Sequence, residues 1–291
     1  MYKLIAIDLD GTLLNSYGEI SEENKKAIKM ALDKNVEIVL TSGRIISSIR
    51  NFANEISANN YLISGNGALV YDIQKEQVIY DRYMDKSKVL KVIEICEENS
   101  IYYSVYTDKS GIITKSLNYN ILFYHNENIN KPDEHKININ ITQNIYDYVK
   151  KSEIDKYSKV SICDKDKIIF SSIIKKLRKI KKVDVLDVAH MSRKIIKSGT
   201  LDVPIEYYYT EIINENVNKW EAIKFLINKL NINKEEVMAI GDNINDKEML
   251  ENAGLGVVMG NSAPYIKKMG KVIVSDNNSN GVAEAITKYL Q

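Results

Sequence analysis

Asp8-Leu9-Asp10 places two acids one residue apart, and Gly11-Thr12 follow at once. Carboxylates held close repel, so the pair needs a cation, a shared proton or unlike surroundings. Oxygen ligands select a hard ion, and Mg2+ takes one or two carboxylates together with waters and phosphate. A carboxylate beside Mg2+ can attack phosphorus and form an aspartyl-phosphate. Its neighbour can protonate the leaving oxygen and then take a proton from water. An ordinary strand end with an Asx turn accounts for the pentapeptide alone equally well.

Two more polar loops carry glycine: Thr41-Ser42-Gly43-Arg44, and Gly241-Asp242-Asn243-Ile244-Asn245-Asp246. A hydroxyl and bare amides at a strand-to-helix turn make an oxyanion cradle. A helix N-cap explains Ser42 as well. Lys219, at the start of a helical stretch, reads alone as a surface lysine.

The elements around these loops give them a common place. Lys3-Leu4-Ile5-Ala6-Ile7 is an apolar run of strand length. Beyond Asp8 and Asp10, Gly11 permits the sharp turn that brings both acids to one pocket. Ser21 caps a helix whose Ala27, Ile28, Ala31 and Leu32 form one apolar face. Strands follow at 36–40 and 60–63, separated by a helix over 45–56, and Asn66-Gly67 is a hairpin signal. Runs at 70–71 and 78–80 pair around Gln74-Lys75. This alternation predicts an α/β fold, a Rossmann-like parallel sheet with helices on both faces. Such sheets bind ligands outside the carboxyl ends of their strands, where all three loops can converge.

From about Tyr83 the pattern changes to hairpins and helices, an inserted α+β module. Helices are expected over 86–98 and 167–180, and strands over 101–106, 111–114, 137–141, 159–163, 183–188 and 207–213. Asn126 to Lys136 is polar with a single proline and reads as a loop. The core pattern resumes with a helix over 220–230, strands over 237–240, 255–259 and 271–274, and helices over 247–252 and 281–290. The expected domains are residues 1–82 with 212–291 as core, and 83–211 as insert.

The 291 residues carry a net charge of +1, which gives no bulk signal for nucleic acid or membrane. The lysines at 175, 176, 179, 181 and 182 read as a solvated helix face, since no aromatic interleaving accompanies them. No apolar run reaches membrane-spanning length and the N-terminus enters a strand directly, so the cytoplasm is the expected location. Cys96 and Cys163 sit in apolar surroundings and read as buried thiols. The 19 tyrosines are scattered, as expected for mixed core and surface use.

Taken together, the chain resembles the haloacid dehalogenase superfamily of phosphohydrolases, and most of all its Cof-type branch with a large α+β cap. The likeness covers the whole chain and rests on four ordered motifs. They are Asp8-Leu9-Asp10-Gly11-Thr12-Leu13-Leu14, Ser42-Gly43-Arg44, Lys219 in Asn218-Lys219-Trp220-Glu221-Ala222, and Gly241-Asp242-Asn243-Ile244-Asn245-Asp246. The tail from Leu250 to Asn261 and the loop Asn66-Gly67-Ala68 match the branch as well. Ser42 stands where the branch commonly has Thr, and Trp220 is larger than the usual residue after the lysine.

The resemblance implies roles by position. Asp8 would be the nucleophile and Asp10 the general acid/base. Mg2+ would be held by the Asp8 carboxylate, the Asp10 main-chain carbonyl and Asp242. Ser42, the Gly43 amide, Lys219 and Asn245 would hold phosphate oxygens, with Asp246 supporting the site by orienting Lys219. The implied reaction is Mg2+-dependent hydrolysis of a small phosphorylated metabolite, a sugar phosphate or a relative of one. Cap loops would read the leaving group, with His190 and Arg193 as candidates. A sugar-phosphate phosphomutase and a non-catalytic metabolite-binding regulator are the alternatives on the same fold. Oligomeric state is not legible in the sequence.

Overall fold

Leu4, Ile5, Ala6 and Ile7 are all fully buried, which is why this first strand is apolar on both faces. The computed structural model describes residues 1–108, 111–129, 131, 133, 136–186, 192–198 and 201–290. The chain opens with β1 (Leu4–Asp8), α1 (Glu22–Asp33), β2 (Glu37–Thr41), α2 (Ile46–Glu55), β3 (Tyr61–Ser64), β4 (Leu69–Asp72) and β5 (Gln77–Asp81). There follow β6 (Met84–Asp85), α3 (Lys86–Glu98), β7 (Tyr102–Thr107), β8 (Ile112–Thr114), α4 (Asn120–Ile129), β9 (Ile139–Ile141) and α5 (Ile145–Lys151). Next come β10 (Lys156–Asp164), α6 (Lys167–Leu177), β11 (Val183–Val185), β12 (Ser192–Ser198) and β13 (Leu201–Asn214). The chain closes with α7 (Lys219–Leu230), β14 (Val237–Gly241), α8 (Lys247–Asn252), β15 (Leu255–Val258), β16 (Val272–Ile273) and α9 (Gly281–Tyr289).

The chain divides into two compact units, Met1–Asp81 with Val217–Gln291, and Arg82–Asn216. In the first, the sheet order is β16-β15-β14-β1-β2-β3-β4-β5. The strands from β16 to β3 are parallel, and β4 and β5 are added antiparallel. β1 lies between β14 and β2, with Leu4 opposite both Val237 and Glu37. Alternation splits the core into two layers. Ile5 and Ile7 pack with Ile28 of α1, Ile49 of α2 and Ile286 of α9. Leu4 and Ala6 pack on the other face with Ile223 and Leu226 of α7 and Met249 of α8. Asp8 continues the even series, so it leaves the strand on the face that α7 covers. The connections run from β1 to β2 on one side and from β14 to β15 on the other. The carboxyl end of β1 is therefore the switch point of the sheet.

The second unit has its own sheet, β11-β13-β10-β7-β8-β9, mostly antiparallel, with β12 paired to β13 and β6 to β10. Val92 and Ile93 of α3, Val149 of α5 and Phe170 and Ile173 of α6 pack on one face, against Val105, Val160 and Ile162. β13 pairs through Asn214 with β11, so residues 212–214 belong to this sheet. Two helices, α4 and α5, stand where the sequence signals none, and Asn126 to Ile129 finish α4 rather than opening a loop. Asparagine and tyrosine dilute the apolar period there, and packing of Ile121, Tyr124, Ile145 and Val149 supplies what propensity lacks. The basic helix α6 stops at Leu177, three residues short of expectation. Cys96 and Cys163 are both free and buried. Among the described residues, no helix is long and apolar enough to cross a membrane.

Candidate active site

Asp8, Asp10, Ser42, Gly43, Lys219, Asp242, Asn245 and Asp246 all fall in the first unit. β1 ends at Asp8 in a tight turn: Thr12 N donates to Leu9 O at 3.2 Å and Leu13 N to Asp8 O at 3.2 Å. Gly11 has φ +85°, and a Cβ there would stand 2.5 Å from Asp242 Oδ2, so only glycine admits Asp242. Thr12 Oγ1 donates to Asp242 Oδ1 at 2.9 Å, tying the first and fourth motifs together.

Lys219 is the first residue of α7, whose N-cap Asn218 accepts from Glu221 N at 2.9 Å. Its side chain is fully buried, and Nζ donates to Asp8 Oδ1 and Asp246 Oδ1, each at 2.5 Å. Asp246, also fully buried, turns its other oxygen to the amides of Asp242 at 2.9 Å and Asn243 at 3.0 Å. It thus fixes both the lysine and the loop that presents Asp242. Lys219, which in isolation reads as a surface lysine, is buried here where two carboxylates meet it.

Oxygens of Asp8, Asp242 and Asp246 lie within 4.8 Å of one another. Burial pushes the Asp8 carboxyl up to about 7, against the opposing pull of Lys219. Burial and then the charges of Asp8 and Asp246 hold Asp242 well above the usual carboxylate range. Burial pulls the Lys219 ammonium down, but Asp246 and Asp8 outweigh it and its pKa is raised. Three acids thus face one lysine, and the surplus negative charge is all oxygen. With Asp246 committed to Lys219 and two amides, Asp8 and Asp242 are the side chains that fit a hard divalent cation.

Asp10 lies outside that group of three. Its side chain is half exposed and is turned to Arg44, which donates to both of its oxygens at 2.7 and 2.8 Å. Asp10 still acts on Asp8, whose carboxyl its charge helps to raise, and the pairing with Arg44 is a contact that the sequence did not signal.

The phosphate-cradle candidates meet on Asn66. Ser42 is buried at the end of β2, its oxygen accepting from Arg44 N at 3.1 Å. Asn66 N donates to Ser42 O at 3.0 Å, and a Cβ on Gly43 would touch Asn66 Oδ1 at 2.9 Å. Asn245 Nδ2 donates to the same Oδ1 at 3.0 Å. Asn66 is left-handed at φ 58° in the bend between β3 and β4. Gly67, at φ +98°, lies so close to α7 that its Cβ would stand 2.1 Å from Asn218 O. The Asn66-Gly67 dipeptide signalled the bend, but nothing in its sequence announced contact with three site loops. His190 and the side chain of Arg193 lie outside the described residues.

The family model for haloacid dehalogenase-like hydrolases matches residues 5–286. The phosphatase YwpJ of Bacillus subtilis is 28% identical over 296 residues, covering 99% of this chain and 100% of that protein. The 5-amino-6-(5-phospho-D-ribitylamino)uracil phosphatase YcsE of the same organism is 28% identical over 288 residues, covering 99% and 96%. Among solved structures, a haloacid dehalogenase-like hydrolase from B. subtilis superposes with a TM-score of 0.79 at 26% identity, covering 99% and 100%.

Proposed function

Since the chain belongs to the haloacid dehalogenase-like hydrolases of the Cof type, and is a phosphoric monoester hydrolase, we propose that it hydrolyses a small phosphorylated metabolite through an aspartyl-phosphate. One observation carries this reading: Lys219 bonds a buried Asp8 at 2.5 Å at the switch point of the sheet, within an oxygen-rich acidic cluster. A phosphate dianion repels a carboxylate nucleophile, so a cation is needed at the point of attack, and fixed charge of this kind is a large catalytic contribution.

Asp8 forms the new bond to phosphorus as the bond to the leaving oxygen breaks, and Asp10 gives that oxygen its proton. Water then attacks phosphorus, Asp10 takes the water's proton, and the bond to Asp8 breaks to release inorganic phosphate. Attacking and leaving oxygens stand on opposite sides of phosphorus. Ser42, the Gly43 amide, Lys219 and Asn245 hold the phosphate oxygens, and Asp246 orients Lys219. Mg2+ is the divalent ion we assign to Asp8, Asp242 and the Asp10 carbonyl, where it would supply further positive charge to the phosphoryl group. We assign leaving-group recognition to the inserted unit, residues 83–211 by the sequence reading, which has a sheet of its own. A sugar phosphate or a similar polyol phosphate is the substrate class, and the phospho-ribityl compound in one relative's name supports it.

Release of phosphate from p-nitrophenyl phosphate tests the chemistry, and a panel of phosphorylated metabolites tests the class. Turnover must depend on Mg2+ and be lost in Asp8→Asn. An isomerised sugar phosphate in place of free phosphate would overturn hydrolysis in favour of a mutase.

A further inference from the structure

Arg44 ends the second motif and takes no part in the chemistry above. Its side chain is only 7% exposed, and its guanidinium forks onto the carboxylate of Asp10. Nε donates to Asp10 Oδ2 at 2.8 Å and Nη2 to Oδ1 at 2.7 Å. A two-point fork fixes the plane of a carboxylate as well as its place, which a lysine cannot do. The fork is itself held. Nη1 donates to Ser48 Oγ at 3.2 Å, and the Phe52 ring centre lies 5.3 Å from Cζ. Arg44 O accepts from Gly65 N at 3.2 Å and from Ser64 Oγ at 2.7 Å.

Asp10 lies two residues past β1, beside the Gly11 turn, with a side chain that is 53% exposed. An acid so placed has several rotamers open to it unless something selects one.

The geometry points to Arg44 as the positioning residue for Asp10, aiming the carboxyl that exchanges a proton with the leaving oxygen and then with water. The fork binds one acceptor position on each Asp10 oxygen, which sets the direction of both. The inference rests on the reading of Asp10 as general acid/base.

The test compares kcat/KM for two esters. p-Nitrophenolate leaves without a proton, whereas the sugar alkoxide of ribose 5-phosphate needs one. Because kcat/KM reports the steps up to the first irreversible one, it isolates transfer to Asp8 from the later attack by water. Asp10→Asn should lower the value for ribose 5-phosphate by about 10²–10⁴, and much less for the aryl ester. Arg44→Lys and Arg44→Met should reproduce that selectivity, with a loss at least about tenfold larger on ribose 5-phosphate. Adding Arg44→Met to Asp10→Asn should change nothing further, since the two act as a unit. Equal losses on both esters, or a further loss in the double variant, would overturn the role of Arg44. An Asp10→Asn enzyme with no ester selectivity would instead overturn the role of Asp10. Thermal melting identifies any variant that fails to fold, and Arg44→Lys retains the charge if Arg44→Met does not fold.

Discussion

Replacing Lys219 with Met keeps the volume of a buried side chain and removes its charge. Two buried carboxylates, Asp8 and Asp246, then lose the cation they share at 2.5 Å. Breaking a buried pair from one side costs about 3–5 kcal/mol. For a unit of this size that is a fall of roughly 6–20 °C in Tm. The deficit should also depend on pH. In the folded protein Asp8 already binds its proton more tightly than in the unfolded chain, its pKa rising from 3.8 to about 7. A carboxyl raised in this way costs stability as pH climbs from the unfolded value to the folded one. Without Lys219, which lowers it, the folded value moves higher still. The variant therefore keeps protons that the wild type has released, each costing about 1.4 kcal/mol per pH unit. Urea unfolding in chelator, at about pH 5 and about pH 8, measures this, and the deficit should be larger at the higher pH. A deficit below about 1 kcal/mol at the higher pH would place Lys219 among weak surface pairs and refute the reasoning. So would a deficit that does not shrink at the lower pH.

Without metal, Asp242→Asn should be more stable than wild type, because it removes a buried charge that Asp8 and Asp246 repel. Saturating Mg2+ should reverse that order by stabilising wild type by about 2–3 kcal/mol at a hundredfold excess over Kd; equal Mg2+ shifts in the two proteins would show that Asp242 holds no ion. Gly67→Ala should cost about 2–4 kcal/mol and depress kcat, since its Cβ would overlap Asn218 O beside Lys219. Gly18→Ala is the control: φ is +79° with nothing within 4 Å, so only about 1–2 kcal/mol of backbone strain is expected and activity should hold.

Much of the first unit is legible locally. Lys3 to Ile7 reads as a strand because both faces of β1 are buried, and Asn218 before Lys219 marks a helix start through its own hydrogen bond. The acids at 242 and 246 signal a site by type and spacing. Partner choice is another matter. Lys219 and Asp8 lie 211 residues apart, and no local pattern predicts that the lysine is buried. The pairing of Arg44 with Asp10 was missed for the same reason, and so was the meeting of Gly43 and Asn245 on Asn66. In the insert, α4 and α5 escaped notice because tertiary packing outweighs weak propensity.

β1 stands between a neighbour made early, β2, and one made late, β14, whose first residue is Val237. Ribosomes add about 5–20 residues per second, so one side of β1 lacks its partner for roughly 10–50 s. During that interval Leu4 to Ile7 present a bare apolar edge of the kind that templates aggregation. The insert has its own sheet and hydrophobic centre and is synthesised within that interval. The nascent chain thus carries a finished module beside an unfinished one. Chaperone capture of stalled chains should concentrate before residue 237 and decline once β14 has emerged.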